Sequence, residues 1–525
     1  MILPGRKNRY GLLILVGLLG GLAAACGTEV NHIPGQDSRI SLKLYTPPYQ
    51  DAFDSVSTLR LTLMVPNGDD LVTTVDVSAE DISLSGSPAS GLVLLVEGLG
   101  VDGQEILSSG QSAAFDLSAD NPVEVSLLFA RKGEFTRLLG DLGHARFGHS
   151  AAALADGRIL VFGGAAAGDL EAPTDFVPPE VYDLATQKSC SYSDRLCPEL
   201  SGYDRRFGHS VTGLPSGKAF IFGGQDEQGE LIDSILIFDT QSDLFRVFSN
   251  YVAEEVHPVA FHAAELFRFD DGSGRGLRDT VIIAGGQKSS GVERIPAEYG
   301  LLYDDLSEVF TRTDLHLIEP RSKLTLTAFG ANRQLVLAAG GEGAAGLVGA
   351  GELFNGQLFE AIVPSVGQGR TGLVSPRVHH AAVPVTDGVM LVGGDNLLQS
   401  IDDPEVFLSG SQFGTGFFDL SIASADANHQ PRRGLIATSL PTGEVLYAGG
   451  ESFDGFTRVL LNTAELLEGL NDSQAATFTD IEPLGQSLSF PSVTRLDSGA
   501  LVIIGGMKPG ENGPEPSAEV WYYNK

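Results

Sequence analysis

From about residue 134 onward, short unbroken apolar runs recur along the chain, and each ends on a pair of glycines. Arg158-Ile159-Leu160-Val161-Phe162, Lys218-Ala219-Phe220-Ile221-Phe222, Val281-Ile282-Ile283-Ala284 and Leu501-Val502-Ile503-Ile504 are four of these runs. The pairs are Gly163-Gly164, Gly223-Gly224, Gly285-Gly286, Gly340-Gly341, Gly393-Gly394, Gly449-Gly450 and Gly505-Gly506. Their second glycines are 60, 62, 55, 53, 56 and 56 residues apart. A period of this size is the mark of a repeat fold. Continuous apolar runs suit strands buried on both faces, and glycine at the strand end permits a positive φ and a close backbone approach. Upstream of each run lies another strand. The first two copies repeat it closely, as Arg146-Phe147-Gly148-His149-Ser150 before a turn at Asp156-Gly157, and Arg206-Phe207-Gly208-His209-Ser210 before Ser216-Gly217.

A third strand follows each glycine pair after a variable loop and opens on an acidic residue. It reads Glu180-Val181-Tyr182-Asp183, Glu352-Leu353-Phe354, Glu405-Val406-Phe407, Glu465-Leu466-Leu467 and Glu519-Val520-Trp521-Tyr522. The second and third copies are looser, at Asp233-Ser234-Ile235 and Glu298-Tyr299-Gly300. This order of Arg and often His, turn, apolar strand, Gly-Gly and acidic third strand resembles the kelch family. The resemblance implies an all-β fold, a seven-bladed propeller of four-stranded blades around a central channel. No blade could bury its faces alone, so the ring must close. The seventh copy stops one strand short of a blade. The segment near 134–140, Glu134-Phe135-Thr136-Arg137-Leu138-Leu139, is expected to supply that strand and to remove two exposed edges.

The region before the repeats has a different pattern. Ile40–Leu44, Leu59–Val65 and Val123–Phe129 alternate apolar and polar residues, as half-buried strands do. Residues 38–132 are expected to form a small antiparallel β-sandwich, immunoglobulin-like in architecture only, acting as a spacer ahead of a propeller over 133–525. Residues 26–37 read as a polar tether. Residues 1–25 combine Arg6, Lys7 and Arg9, an apolar stretch from Gly11 to Leu22, and Ala23-Ala24-Ala25 before Cys26, which makes them a signal peptide. A cysteine directly after the small residues resembles a bacterial lipobox, although Leu22 stands one place earlier than that pattern has it. It implies a lipid on Cys26, an anchor in the membrane and a place in the cell envelope, in the outer membrane by the residue after the cysteine.

The chain has three cysteines. In an exported protein the close pair Cys190 and Cys197 is expected to form a disulfide, worth ~2–3 kcal/mol at most for so short a loop. The formal charge of −33 argues against nucleic acid as a partner and keeps a large exported chain soluble. The three basic residues in the leader would leave with it, so the mature chain is more acidic still. The short acidic loop Asp270-Asp271-Gly272-Ser273-Gly274 with Asp279 is read as a hairpin tip rather than a metal site. No metal or other cofactor is called for.

Arg146, Arg206, Arg321, Arg377 and Arg433 (or Arg432) begin first strands. A rim of guanidinium forks there would suit carboxylates, phosphates or acidic sugars. The other reading is that these arginines pair with the repeated glutamates and hold the blades together. His149, His209, His262 and His380 recur on the same strands and read as buried, hydrogen-bonded structural residues. The expected function is a lipid-anchored module that binds a protein or glycan. The alternative is a carbohydrate-active enzyme using the channel, like the kelch-type sialic-acid mutarotases or galactose oxidase. No catalytic residue is assigned, and the cysteines leave none for the thioether that the oxidase needs.

Overall fold

The structure is a computed structural model. It describes residues 12–14, 38–77, 84–86, 88–118, 122–190, 205–251, 255–270, 274, 276–291, 293–365, 369–411, 414–424, 429–468 and 475–525. The described residues are all-β, with many small and mainly antiparallel sheets and no helix able to cross a membrane.

From residue 134 on, seven sheets share one plan. The first joins Ser150–Ala153, Arg158–Phe162, Glu180–Asp183 and Lys188–Ser189 in that order. The second to sixth begin at Ser210, Ala263, Thr325, Ala381 and Ile436. The sixth carries an additional strand, Ser421–Ser424, added in parallel. The seventh joins Ser492–Arg495, Leu501–Ile504 and Val520–Asn524 to Glu134–Arg137, with Glu134 opposite Asn524 and Arg137 opposite Trp521. One sheet thus takes strands from both ends of this region.

The glycine pairs join the sheets. In every pair the second glycine donates its N–H to a carbonyl of the following sheet. The acceptors are Arg206, Val259, Arg321, Arg377, Arg432 and Leu488, and for Gly506 the carbonyl of Arg146 at 2.8 Å. The seven bonds therefore return to the sheet from which they started. The same glycine's carbonyl accepts from its own sheet, where the chain enters the third strand, as Val177 N–H to Gly164 and Ser517 N–H to Gly506. Both glycines take positive φ, 61° and 90° for Gly505 and Gly506, a region costly to other residues. After each pair the chain forms a loop or a two-stranded hairpin, such as Ala165–Gly168 with Pro173–Phe176 and Glu451–Phe453 with Arg458–Leu460.

The N-terminal strands form two sheets over one apolar core that includes Ile40, Leu42, Leu59, Leu61, Leu94 and Phe129. Thr58–Met64 alternates between buried and half-buried positions, as its pattern requires. The expectation of a purely antiparallel arrangement is corrected: Ser38–Tyr45 and Val123–Leu128 run parallel. Most of the second sheet lies between these two strands in the chain, and a connection that long can return the chain in either direction. Leu12–Ile14 pairs antiparallel with Ser38–Tyr45.

This unit packs against the first and seventh sheets, at their end opposite the glycine pairs. The Asn524 side-chain amide donates to the carbonyls of Ala130 (2.7 Å) and Ser109 (3.1 Å), and Gln187 Nε2 donates to Thr46 O (2.8 Å). Leu128 and Ala130 share a core with Leu138, Tyr182, Val502 and Tyr522.

Candidate functional site

The repeated arginines lie inside the protein. Arg146, Arg206, Arg321, Arg377 and Arg432 are fully buried, at 0 % exposure. Each donates Nη1 to the carbonyl of the first glycine of its own sheet's pair, at 3.0 Å for Arg146 on Gly163 and for Arg377 on Gly393. Nη2 reaches the third-strand carboxylate: Arg146 to Glu180, Arg321 to Glu352 (2.6 Å), Arg377 to Glu405 (2.6 Å) and Arg432 to Glu465 (2.9 Å). The carboxylates of Glu180, Glu352 and Glu405 are also held by two backbone N–H groups just ahead of the arginine, as Val374 and Ser375 hold Glu405. Arg206 donates to Gly223 O and to Ser234 Oγ.

The picture of an open rim is therefore corrected for Arg146, Arg206, Arg321 and Arg377. Their forks are taken up by carboxylates, a serine and carbonyls within the repeat. At the sixth sheet the scaffold place belongs to Arg432, not Arg433.

The third and seventh sheets show what replaces this pair. Val259 and Leu488 stand in the arginine's place. Leu301 and Trp521 stand in the glutamate's register, and each apolar pair shares a core cluster. Glu298 and Glu519, which the sequence placed with the other glutamates, lie three and two residues earlier. They pair instead with Lys288 (2.5 Å) and Lys508 (3.5 Å).

The histidines fasten one sheet to the previous one. His149 Nε2 meets Ser492 Oγ at 2.8 Å, His262 meets Ser210 Oγ at 2.8 Å, and His380 meets Thr325 Oγ1 at 3.0 Å. His209 Nε2 donates to Phe162 O at 3.0 Å. In the fourth and sixth sheets Leu324 and Leu435 fill the same place against the preceding glycine. Burial holds His209, His262 and His380 down at about 3, and His149 also lies well below its ordinary value.

Unfolded, these histidines titrate near 6.5, so between about pH 3 and 6.5 the unfolded chain binds more protons. Stability should fall as pH drops through that window. His429 has the opposite sign. Burial works against its charge, but Asp402 (2.7 Å) and Glu465 (2.8 Å) raise it to about 9. Its contribution is complete below 6.5 and is lost as pH rises through 9. Urea midpoints followed from pH 4 to 10 should peak near pH 6.5, falling on the acid side through the buried histidines and between about 6.5 and 9 through His429. His262→Leu, copying Leu324, should flatten the acid limb.

A second set of charges does not follow the repeat. One residue per sheet, two places after the scaffold position, has positive φ: Gly148, Gly208, Phe261, Lys323, His379, Gly434 and Phe490. Backbone bonds link neighbours in this layer, as Lys323 N–H to Phe261 O and Phe490 N–H to Gly434 O. The residue just before each bridges the residue just after its sheet's glycine pair, as Arg433 with Glu451 and Val378 with Asp395.

In the fourth to sixth sheets this layer is charged. Lys323 Nζ lies 3.2 Å from Glu342, His379 Nδ1 2.7 Å from Asp395 Oδ2, and Arg433 2.7 Å from Glu451 and 3.4 Å from Asp395. The Arg433 guanidinium stacks 4.3 Å from the Phe453 ring centroid, and Phe490 meets the His379 ring edge-on. Burial would raise Asp395, but His379, the Leu397 N–H and Arg433 outweigh it and hold the carboxyl below the ordinary range. In the first and second sheets, with Met507 of the seventh, the same layer is apolar, built from Phe147, Ala165, Phe176 and Phe207. Arg433, the remaining candidate rim arginine, belongs to this charged sector, but it too is buried, at 3 % exposure, with its guanidinium taken up by Glu451 and Asp395. Lys323 and His379 were missed in the sequence because they occupy places where the clearest repeats have glycine.

No family model matches the chain, and no curated protein does. Among solved structures it is similar to one titled "Structure of YjhT", at 11% identity and a TM-score of 0.42. That likeness spans 62% of this chain and 95% of the other. It is too loose to carry a function across.

Cys26 and Cys197 lie outside the described residues, as does most of the loop after Asp270. Cys190 closes the edge of the first sheet, where its Sγ accepts from Val181 N–H at 3.3 Å. Among the described residues no group of three or more His, Cys, Asp or Glu is placed to hold a metal.

Proposed function

We propose that this chain is an exported, lipid-anchored, seven-bladed kelch-type propeller that binds a glycan or a protein at the cell envelope. The binding site is the charged sector around Lys323, His379 and Arg433, at the mouth of the ring above the glycine pairs. One observation carries this reading. Lys323 and His379 hold charged side chains at φ of 55° and 52° where the first, second and sixth sheets use glycine, and a side chain kept in that region costs of order 1 kcal/mol. Phe261 and Phe490 share that backbone, so it is the mixed charge, kept in three neighbouring sheets, that fits a recognition site rather than a scaffold. Loops carried on a rigid framework are the usual bearers of binding.

Glycan and peptide arrays probed with the purified chain and with Lys323→Gly/His379→Gly test this. A ligand retained by the native chain and lost by the variant supports the site, and binding that the variant keeps removes it. A sugar hit calls for a turnover assay, which separates a binding module from an enzyme acting in the channel.

The proposal includes a leader over 1–25, a tether over 26–37, a spacer over 38–132 and the propeller over 133–525. Leader removal would take the strand Leu12–Ile14 with it and leave one edge of Ser38–Tyr45 open. Cys26 carries the lipid, and Cys190 bonds to Cys197. Mass spectrometry of protein from its native host should show an acylated N-terminal Cys26 and a Cys190–Cys197 cross-linked peptide. Free thiols at both of the latter positions would overturn the disulfide.

A further inference from the structure

The loops after the fifth and sixth glycine pairs expose an apolar ridge that nothing in the fold uses. Leu397, Leu398, Phe456 and Val459 are 45%, 72%, 98% and 50% exposed. The two loops are tied together, with Ser400 N–H donating to Phe453 O at 2.7 Å and Phe453 N–H to Ser400 Oγ at 3.0 Å. Each loop also holds its own shape. Asp395 accepts from Leu397 N–H, Asn396 from Leu398 and Gln399, and Asp454 from Phe456 and Thr457. The ridge is thus pre-formed.

Leu397 is the most telling of these residues. It has φ of 72°, a region that costs a bulky side chain about 1–3 kcal/mol, and yet it joins no core cluster and stays 45 % exposed. Strain that gains no packing points to a surface kept for a partner.

The ridge lies at the Gly-Gly end of the sheets, and the N-terminal unit covers the opposite end through Asn524 and Gln187. A partner can therefore approach it end-on without meeting that unit. Its surroundings are acidic. Asp454 and Glu171 are exposed, while Arg458, the cation beside them, leans on Phe453 and on Glu171 at 3.8 Å. A second copy of a chain with charge −33, or an anionic lipid surface, would meet like charge here.

We propose that this ridge is the docking surface for a protein segment that carries apolar side chains flanked by lysine or arginine. The apolar side chains cover Leu398 and Phe456, and the basic ones face Asp454 and Glu171. This goes beyond the charged sector and stands without it, because none of the four ridge residues belongs to that layer.

The test uses fluorescence anisotropy of the full chain at physiological salt with two labelled synthetic peptides. One alternates Leu with Lys and the other alternates Leu with Glu. The Leu/Lys peptide should bind and the Leu/Glu peptide should not. Leu398→Ser/Phe456→Ser should weaken binding at least tenfold while leaving the urea midpoint unchanged. Equal binding of both peptides, binding that the variant does not weaken, or no binding at all would overturn the proposal. Phosphatidylcholine or phosphatidylglycerol vesicles bound only by the unaltered chain would assign the ridge to a membrane and overturn it. Self-association in sedimentation that the variant abolishes would assign it to a second copy, with the same consequence.

Discussion

Arg377→Val should lower stability by about 3 kcal/mol, because it takes the buried cation from Glu405, which is 1 % exposed and keeps only the half-exposed Arg370 at 3.2 Å. It also leaves the carbonyls of Ser375 and Gly393 short of a donor. Adding Glu405→Leu should recover a large part of the loss, since an apolar pair avoids the desolvation of two charges. The molecule already contains that replacement in its third sheet, where Val259 and Leu301 stand in these two places. Recovery should be partial, because the two carbonyls remain unsatisfied and the N–H groups of Val374 and Ser375 lose their acceptor. Urea denaturation of the single and double variants measures both effects. A single variant within 1 kcal/mol of the parent would show that Arg377 is not scaffold.

Gly506→Ala should cost about 3 kcal/mol, from two sources acting together. A Cβ there would lie 2.5 Å from Ser489 O and 2.8 Å from Pro491 N, both backbone atoms that cannot swing aside, and φ is already 90°. The shift needed to relieve the clash would stretch the bond from Gly506 N–H to Arg146 O, the link between the seventh sheet and the first. Gly229→Ala is the matched control. Its φ is 80° and a Cβ there would meet nothing within 4 Å, so it reports the backbone strain alone. Equal midpoints for the two variants would mean that the link between last and first sheets contributes little.

The apolar runs and the glycine pairs were plain in the sequence because both glycines are sterically required in every copy. The charge pairs were half legible. The arginine and glutamate series could be read, but only the register shows that Glu180, Glu352, Glu405 and Glu465 meet them while Glu298 and Glu519 do not. Adjacent Arg432 and Arg433 have the same chemistry, and one residue of register sends the first into the scaffold and the second into the charged sector. The positive-φ layer was hidden for a related reason. Glycine signals it at Gly148, Gly208 and Gly434, but Phe261, Lys323, His379 and Phe490 accept the same backbone without announcing it. The parallel pairing of Ser38–Tyr45 with Val123–Leu128 leaves no mark on either strand, since half-buried strands alternate in the same way whichever direction they run.

The central claim is that the charged sector is kept for recognition at the expense of stability, whereas the buried arginines are kept for the fold. Lys323→Gly tests it most directly. The substitution restores the residue that other sheets use at this backbone angle and removes only a half-exposed ion pair with Glu342. The urea midpoint should stay unchanged or rise, by up to about 1 kcal/mol of relieved strain. A loss of more than about 1 kcal/mol would contradict the claim and make Lys323 part of the scaffold.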